Sequence, residues 1–115
     1  MNVAYLVGHN TVRRNVMGLE NRAPSKEELN EMKRQISAGM DEGAYGISTG
    51  LKYLPGSFSK VEEVIELSKK ASEKGIEMID APVSGGVMGA QKATLNIMVG
   101  GSKEAYEKAL PLLKI

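Results

Sequence analysis

Short apolar runs alternate with amphipathic helical stretches along the whole chain, and this alternation limits the fold more than any other feature. Val3–Val7 (VAYLV) is a continuous apolar run closed by Gly8, the pattern of a strand buried on both faces. Asn10 or Thr11 then caps a short helix carrying Val12, Val16 and Met17, with Gly18 as its stop. Ser25 and Glu28 form a capping box for a helix in which Leu29, Met32, Ile36 and Met40 recur at helical spacing, and Gly43 follows it. Tyr45–Gly50 (YGISTG) reads as a second, weaker strand, and Leu51–Phe58 as a turn-rich loop around Pro55–Gly56.

Ser59 and Glu62 make another capping box, opening a helix that runs to Gly75 with Val61, Val64, Ile65, Ser68 and Ala71 inward. Ile65→Asp is therefore expected to unfold the protein. Ile76–Ala81 is a third strand, leading into Pro82 and the flexible Ser84–Gly85–Gly86. A short helical segment around Met88–Ala93 precedes a fourth strand, Leu95–Val99. Ser102 caps a last helix with Tyr106, Ala109, Leu110 and Leu113 on one stripe, bent at Pro111. The pattern predicts an α/β fold, a single domain over residues 1–115. Its form is a three-layer sandwich on a mostly parallel four-stranded sheet, with the last helix laid across one face. The connection before the last strand is close to the minimum for a parallel crossover, which leaves an antiparallel last strand open.

With Lys+Arg 15 against Asp+Glu 14, no net field draws in polyanions, and the absence of Trp removes a stacking platform, so no nucleic-acid partner is expected. No apolar run approaches the roughly 20 residues that span a bilayer, so no membrane partner is expected either. Met1–Gly8 lacks the charged start and cleavage site of a signal peptide. The lack of Cys excludes disulfides and thiolate metal sites, and suits the cytoplasm or a recombinant expression host. A monomer and a homodimer both remain open.

Four motifs occur in one order: Asn2–Arg13 (NVAYLVGHNTVR), Val16–Gly18, Gly43–Leu51 (GAYGISTGL) and Tyr53–Gly56 (YLPG). In these, residues 1–72 resemble the N-acyl-D-amino-acid deacylase branch of the amidohydrolase superfamily. The resemblance implies two consecutive βα units of a TIM barrel. Asp80–Gly86 (DAPVSGG), Thr94–Gly101 (TLNIMVGG) and Glu104–Leu113 (EAYEKALPLL) instead resemble the β-hydroxyacid dehydrogenases, which include 3-hydroxyisobutyrate dehydrogenase. That resemblance covers residues 73–115 and implies the end of a Rossmann-like domain. Glu66–Gly75 (ELSKKASEKG) suits a helix of either family. An engineered chimera joined in that helix is the economical reading.

His9 is the sole histidine and follows the first strand, where the barrel resemblance implies the active-site face. A hydrolytic zinc site needs about three protein ligands. The strand that the resemblance implies should bring another His reads Glu77–Asp80 (EMID), so no metal is expected. Ser84–Gly85–Gly86 offers backbone amides without bulk, a candidate cradle for a small anion, and the dehydrogenase resemblance implies a substrate carboxylate there. That family's dinucleotide loop and catalytic lysine have no counterpart in the matched segment, and no G-x-G-x-x-G occurs. Ser48–Thr49 is a weaker candidate, because no motif places a base beside it. Sequence thus predicts a structural scaffold without catalytic residues or cofactor, not an enzyme. The alternatives are an anion-binding module using His9, Ser84, Gly85 and Gly86, and a residual metal-dependent amide hydrolase.

Overall fold

The computed structural model describes residues 3–113. Asn2, which opens the first quoted motif, and the last two residues lie outside them. The α/β class is as expected, and the chain falls into two compact units, Met1–Ile76 and Glu77–Ile115.

The first unit runs β1 (Val7–Gly8), α1 (His9–Met17), α2 (Lys26–Asp41), β2 (Ile47–Ser48), a 3-10 turn at Gly56–Phe58 and α3 (Val61–Ser72). β1 and β2 pair in parallel, Val7 opposite Ile47 and Gly8 opposite Ser48. Backbone bonds from Val7 N to Gly46 O (2.8 Å) and from Tyr45 N to Tyr5 O (2.9 Å) extend the contact. Val12, Met17, Met32, Ile36 and Leu67 form the core, with Val7, Val16, Leu29, Met40 and Ile47 packed against it. Ser25 and Glu28 do form the capping box of α2: Ser25 Oγ accepts from Glu28 N (3.2 Å), and Ser25 N donates to Glu28 Oε2 (2.7 Å).

Three expectations fail here, the first because a sheet of two strands covers little. Val3, Tyr5 and Leu6 are exposed rather than sandwiched. Ser59 and Glu62 do not cap α3, whose N-cap is Lys60 without a side-chain bond. The inward stripe of α3 is Glu63, Leu67 and Ala71, while Val61 and Ile65 face solvent. Glu63 is drawn inside by polar partners, and that fixes the rotation of the helix about its axis.

The second unit contains β3 (Ile79–Asp80), β4 (Val83–Ser84), α4 (Gly86–Gln91), β5 (Asn96–Ile97), β6 (Gly100–Gly101) and α5 (Lys103–Leu113). β3 pairs antiparallel with β6, and β4 antiparallel with β5. The four-stranded, mostly parallel sheet is therefore absent among the described residues, and three two-stranded sheets stand in its place. The six residues of α4 are too few for a parallel crossover, so the chain turns back antiparallel. Pro111 sits inside α5, which packs beside β6 in this unit. Gly89 and Ala105 are this unit's buried residues among those described. Met78, Met88 and Met98 are exposed, unlike the core-filling Met17 and Met32. No helix among the described residues is long and apolar enough to cross a membrane.

Candidate functional site

His9 belongs to the first unit and Ser84–Gly86 to the second. In the first, the parallel register sets Gly8 opposite Ser48, so the next residues, His9 and Thr49, emerge side by side at the strands' C-terminal ends. His9 Nδ1 lies 2.8 Å from Thr49 Oγ1, and Nε2 lies 2.8 Å from Glu63 Oε1. Arg13 Nη1 donates to Glu63 Oε2, and Ser59 Oγ donates to Oε1 at 3.1 Å. Arg13 Nη2 donates to the carbonyl of Arg22 at 2.6 Å, and Asn10 Nδ2 to that of Gly50 at 3.4 Å. His9, Arg13 and Glu63 are 1%, 0% and 3% exposed.

Burial alone pushes the Glu63 carboxyl up, but hydrogen bonds from His9, Arg13 and Ser59 outweigh it and hold the group below its ordinary value. Glu63 is thus an ionised acceptor. Two buried polar atoms of the cluster have no hydrogen-bond partner: Asn10 Oδ1 and Arg13 Nε. A Cβ on Gly56 would come within 2.0 Å of that Asn10 oxygen, so a side chain there would displace the Asn10 amide. Sequence singled out His9 and mentioned Thr49, but missed Arg13 and Glu63. The signal was present: His9 and Arg13 share the i, i+4 face of α1 with Val12 and Met17, and Glu63 shares that of α3 with Leu67.

In the second unit, Ser84, Gly85 and Gly86 are exposed at the β4–α4 turn. Gly85 (φ 126°) and Gly86 (φ 54°) both occupy backbone space that favours glycine. A Cβ on Gly85 would meet Leu95 Cδ2 at 3.1 Å, whereas one on Gly86 would meet nothing within 4 Å. Gly86 therefore faces open space. The large cavity of this unit, about 670 Å³, lies elsewhere, between Leu95, Ile97 and Val99 and the Tyr106–Leu110–Leu113 stripe of α5. Among the described residues, no three His, Cys, Asp or Glu side chains gather as metal ligands would.

A family profile described as the NAD binding domain of 6-phosphogluconate dehydrogenase matches residues 10–115. The 2-(hydroxymethyl)glutarate dehydrogenase of Eubacterium barkeri is 51% identical over 51 residues, 44% of this chain and 17% of its own length. The mitochondrial 3-hydroxyisobutyrate dehydrogenase of Drosophila melanogaster is 41% identical over 80 residues, 69% of this chain and 25% of its own. Among solved structures, N-acyl-D-glutamate deacylase from Bordetella bronchiseptica, complexed with zinc and a phosphonate inhibitor, matches with a TM-score of 0.62. It is 38% identical and covers 64% of this chain and 16% of that one.

These matches overturn the expected inert scaffold: the similarity is to oxidoreductases, through a profile spanning nearly the whole chain. They also move the dehydrogenase resemblance from a start near residue 73 back to residue 10. Spans of 69% and 64% of one chain overlap, so the two resemblances share residues. The matching family is described by NAD binding. The described residues, however, do not fit a dinucleotide by themselves. The junction of β1 and α1 carries one glycine followed by the buried His9, and a side chain at Gly85 or Gly89 would meet Leu95 Cδ2 at 3.1 Å, so these glycines are accounted for by packing.

Proposed function

Because the chain belongs to the family of the NAD binding domain of 6-phosphogluconate dehydrogenase, we propose that it serves NAD-dependent dehydrogenation of a small hydroxy acid. The observation that carries this reading is the profile match over residues 10–115. The chain spans only about a sixth to a quarter of the dehydrogenases described above, so the reaction is assigned to the whole protein and not to these residues alone. Both of those relatives are named for carboxylates that bear a hydroxyl β to the acid group, and we assign the same substrate class here.

Within this chain we assign the substrate carboxylate to the Ser84–Gly85–Gly86 turn. Support comes from its exposure, from two successive positive-φ glycines that need no side chain there, and from the open space beside Gly86. We also read the chain as composite, with a deacylase-like first unit. The first unit's end at Ile76, close to the Glu66–Gly75 helix that suits both families, supports this.

Isothermal titration with 3-hydroxyisobutyrate tests the assignment. Binding is expected in the parent and should weaken by about tenfold, roughly 1.4 kcal/mol, in Gly86→Val, whose side chain fills the open space and strains the turn. Absence of binding in the parent up to millimolar ligand, or equal affinity in the variant, removes the turn from the site.

A further inference from the structure

Three side chains of the first unit stand in the order of a hydroxyl nucleophile, its base and the carboxylate that orients the base. Thr49 Oγ1 is 2.8 Å from His9 Nδ1, and the opposite ring nitrogen is 2.8 Å from Glu63 Oε1. Thr49 is exposed, whereas His9 and Glu63 are buried. The hydroxyl is the surface end of a shielded relay.

Which ring nitrogen carries the proton follows from the charge on Glu63. Its carboxylate takes hydrogen bonds from Arg13 on one oxygen and Ser59 on the other, and an ionised carboxylate can only accept. His9 must therefore donate through Nε2–H, and in the neutral ring the Nδ1 lone pair is then the one that accepts from the Thr49 hydroxyl. This is the tautomer that a general base needs. Strand register produces the pairing, since His9 and Thr49 each follow directly on one of two paired parallel strands. A buried ion pair of Arg13 and Glu63 alone would need neither the histidine between carboxylate and hydroxyl nor an exposed hydroxyl at its end.

We propose that Thr49 is a nucleophile for acyl transfer from small activated esters, with His9 as its general base and Glu63 as the residue that positions His9. In the first step, Nδ1 takes the Oγ1 proton while Oγ1 bonds to the acyl carbon. The bond from that carbon to the leaving oxygen breaks, and the leaving alcohol takes the proton from Nδ1. Water then attacks the acyl-threonine ester and gives its proton to Nδ1. The acid departs, and Oγ1 recovers its proton. One ester and one water become an alcohol and an acid, with no oxidant or reductant. The site shares no residue with the Ser84–Gly86 turn, so either assignment can fail alone.

The test uses p-nitrophenyl acetate on the parent, Thr49→Val, Thr49→Ser and Glu63→Gln, following p-nitrophenol release and the position of the acetyl group by mass spectrometry. An acetyl on the peptide containing Thr49, removed by hydroxylamine as an ester would be, is expected in the parent and in Thr49→Ser. Release above background should fall by about 100-fold or more in Thr49→Val, the scale of a positioned general base and its nucleophile. In Glu63→Gln, acetylation of Thr49 should slow by a similar factor while lysine acetylation is unchanged. Acetyl found solely on lysines as hydroxylamine-resistant amides, or parental release in Thr49→Val, overturns the proposal. Because Thr49 is exposed, that variant decides the matter even where Glu63→Gln fails to fold.

Discussion

Glu63→Ala is expected to destabilise the first unit by about 3–5 kcal/mol, because removing one partner of a buried pair strands the other charge. Arg13 is fully buried, and Glu63 is the only carboxylate shown bonded to it, its other bonds going to the carbonyls of Glu20 and Arg22. A domain of this size has only about 5–15 kcal/mol in total, so the variant should be largely unfolded at moderate urea. Urea denaturation followed by far-UV circular dichroism measures it; a midpoint equal to the parent's shows that the cluster carries no stability.

The same carboxylate sets a pH dependence with a definite sign. Burial raises the Glu63 pKa, but the bonds from His9, Arg13 and Ser59 lower it further, so its folded value lies below the unfolded one. Its contribution is therefore fully present above the ordinary carboxylate value of about 4.3 and lost as pH falls through the lower folded value. Acid unfolding of the parent should show this step, and Glu63→Gln should lack it. Glu28, Glu31 and Glu66 are also held low, at about 2, by their Arg and Lys partners, but they are partly solvent-exposed, and ion pairs near the surface contribute little.

Leu67→Ala should cost about 2–5 kcal/mol, as large-to-small changes in a packed interior do. Leu67 is 1% exposed and joins the cluster of Val12, Met17, Met32 and Ile36. Ile65, two residues from both Glu63 and Leu67 and so on the opposite face, is 46% exposed, and Ile65→Ala should change stability by only about 0.5 kcal/mol. Measured side by side in urea, the two variants report the rotation of α3 directly. Equal losses, or a larger loss at Ile65, would mean that the helix presents the face its apolar pattern suggests and that Glu63 is not its anchor.

That pair of positions also shows how far the sequence could be read. The apolar period of α3 marked the helix but placed its face one residue away, since a charged Glu63 is not counted among inward residues until His9 and Arg13 are known to meet it. α2 was legible to its first turn, because Ser25 and Glu28 lie three apart and act locally. The strands were legible as apolar runs and not as a sheet: pairing is non-local, and β4 and β6 were missed because Val83–Ser84 and Gly100–Gly101 carry almost no apolar pattern. For the sites, glycines at Gly85 and Gly86 announced their turn through backbone need alone. The His9–Thr49–Glu63 line spans 54 residues of chain and rests on strand register, which no local spacing encodes.

The central claim is that this dehydrogenase-family chain meets the substrate carboxylate at the Ser84–Gly86 turn. Amide NMR of the labelled protein titrated with 3-hydroxyisobutyrate tests it residue by residue. The expected result is saturable shifts concentrated at Gly85, Gly86 and Val87, with the amides of His9 and Thr49 unmoved. Saturable shifts confined to other residues, or none at any concentration, would contradict it.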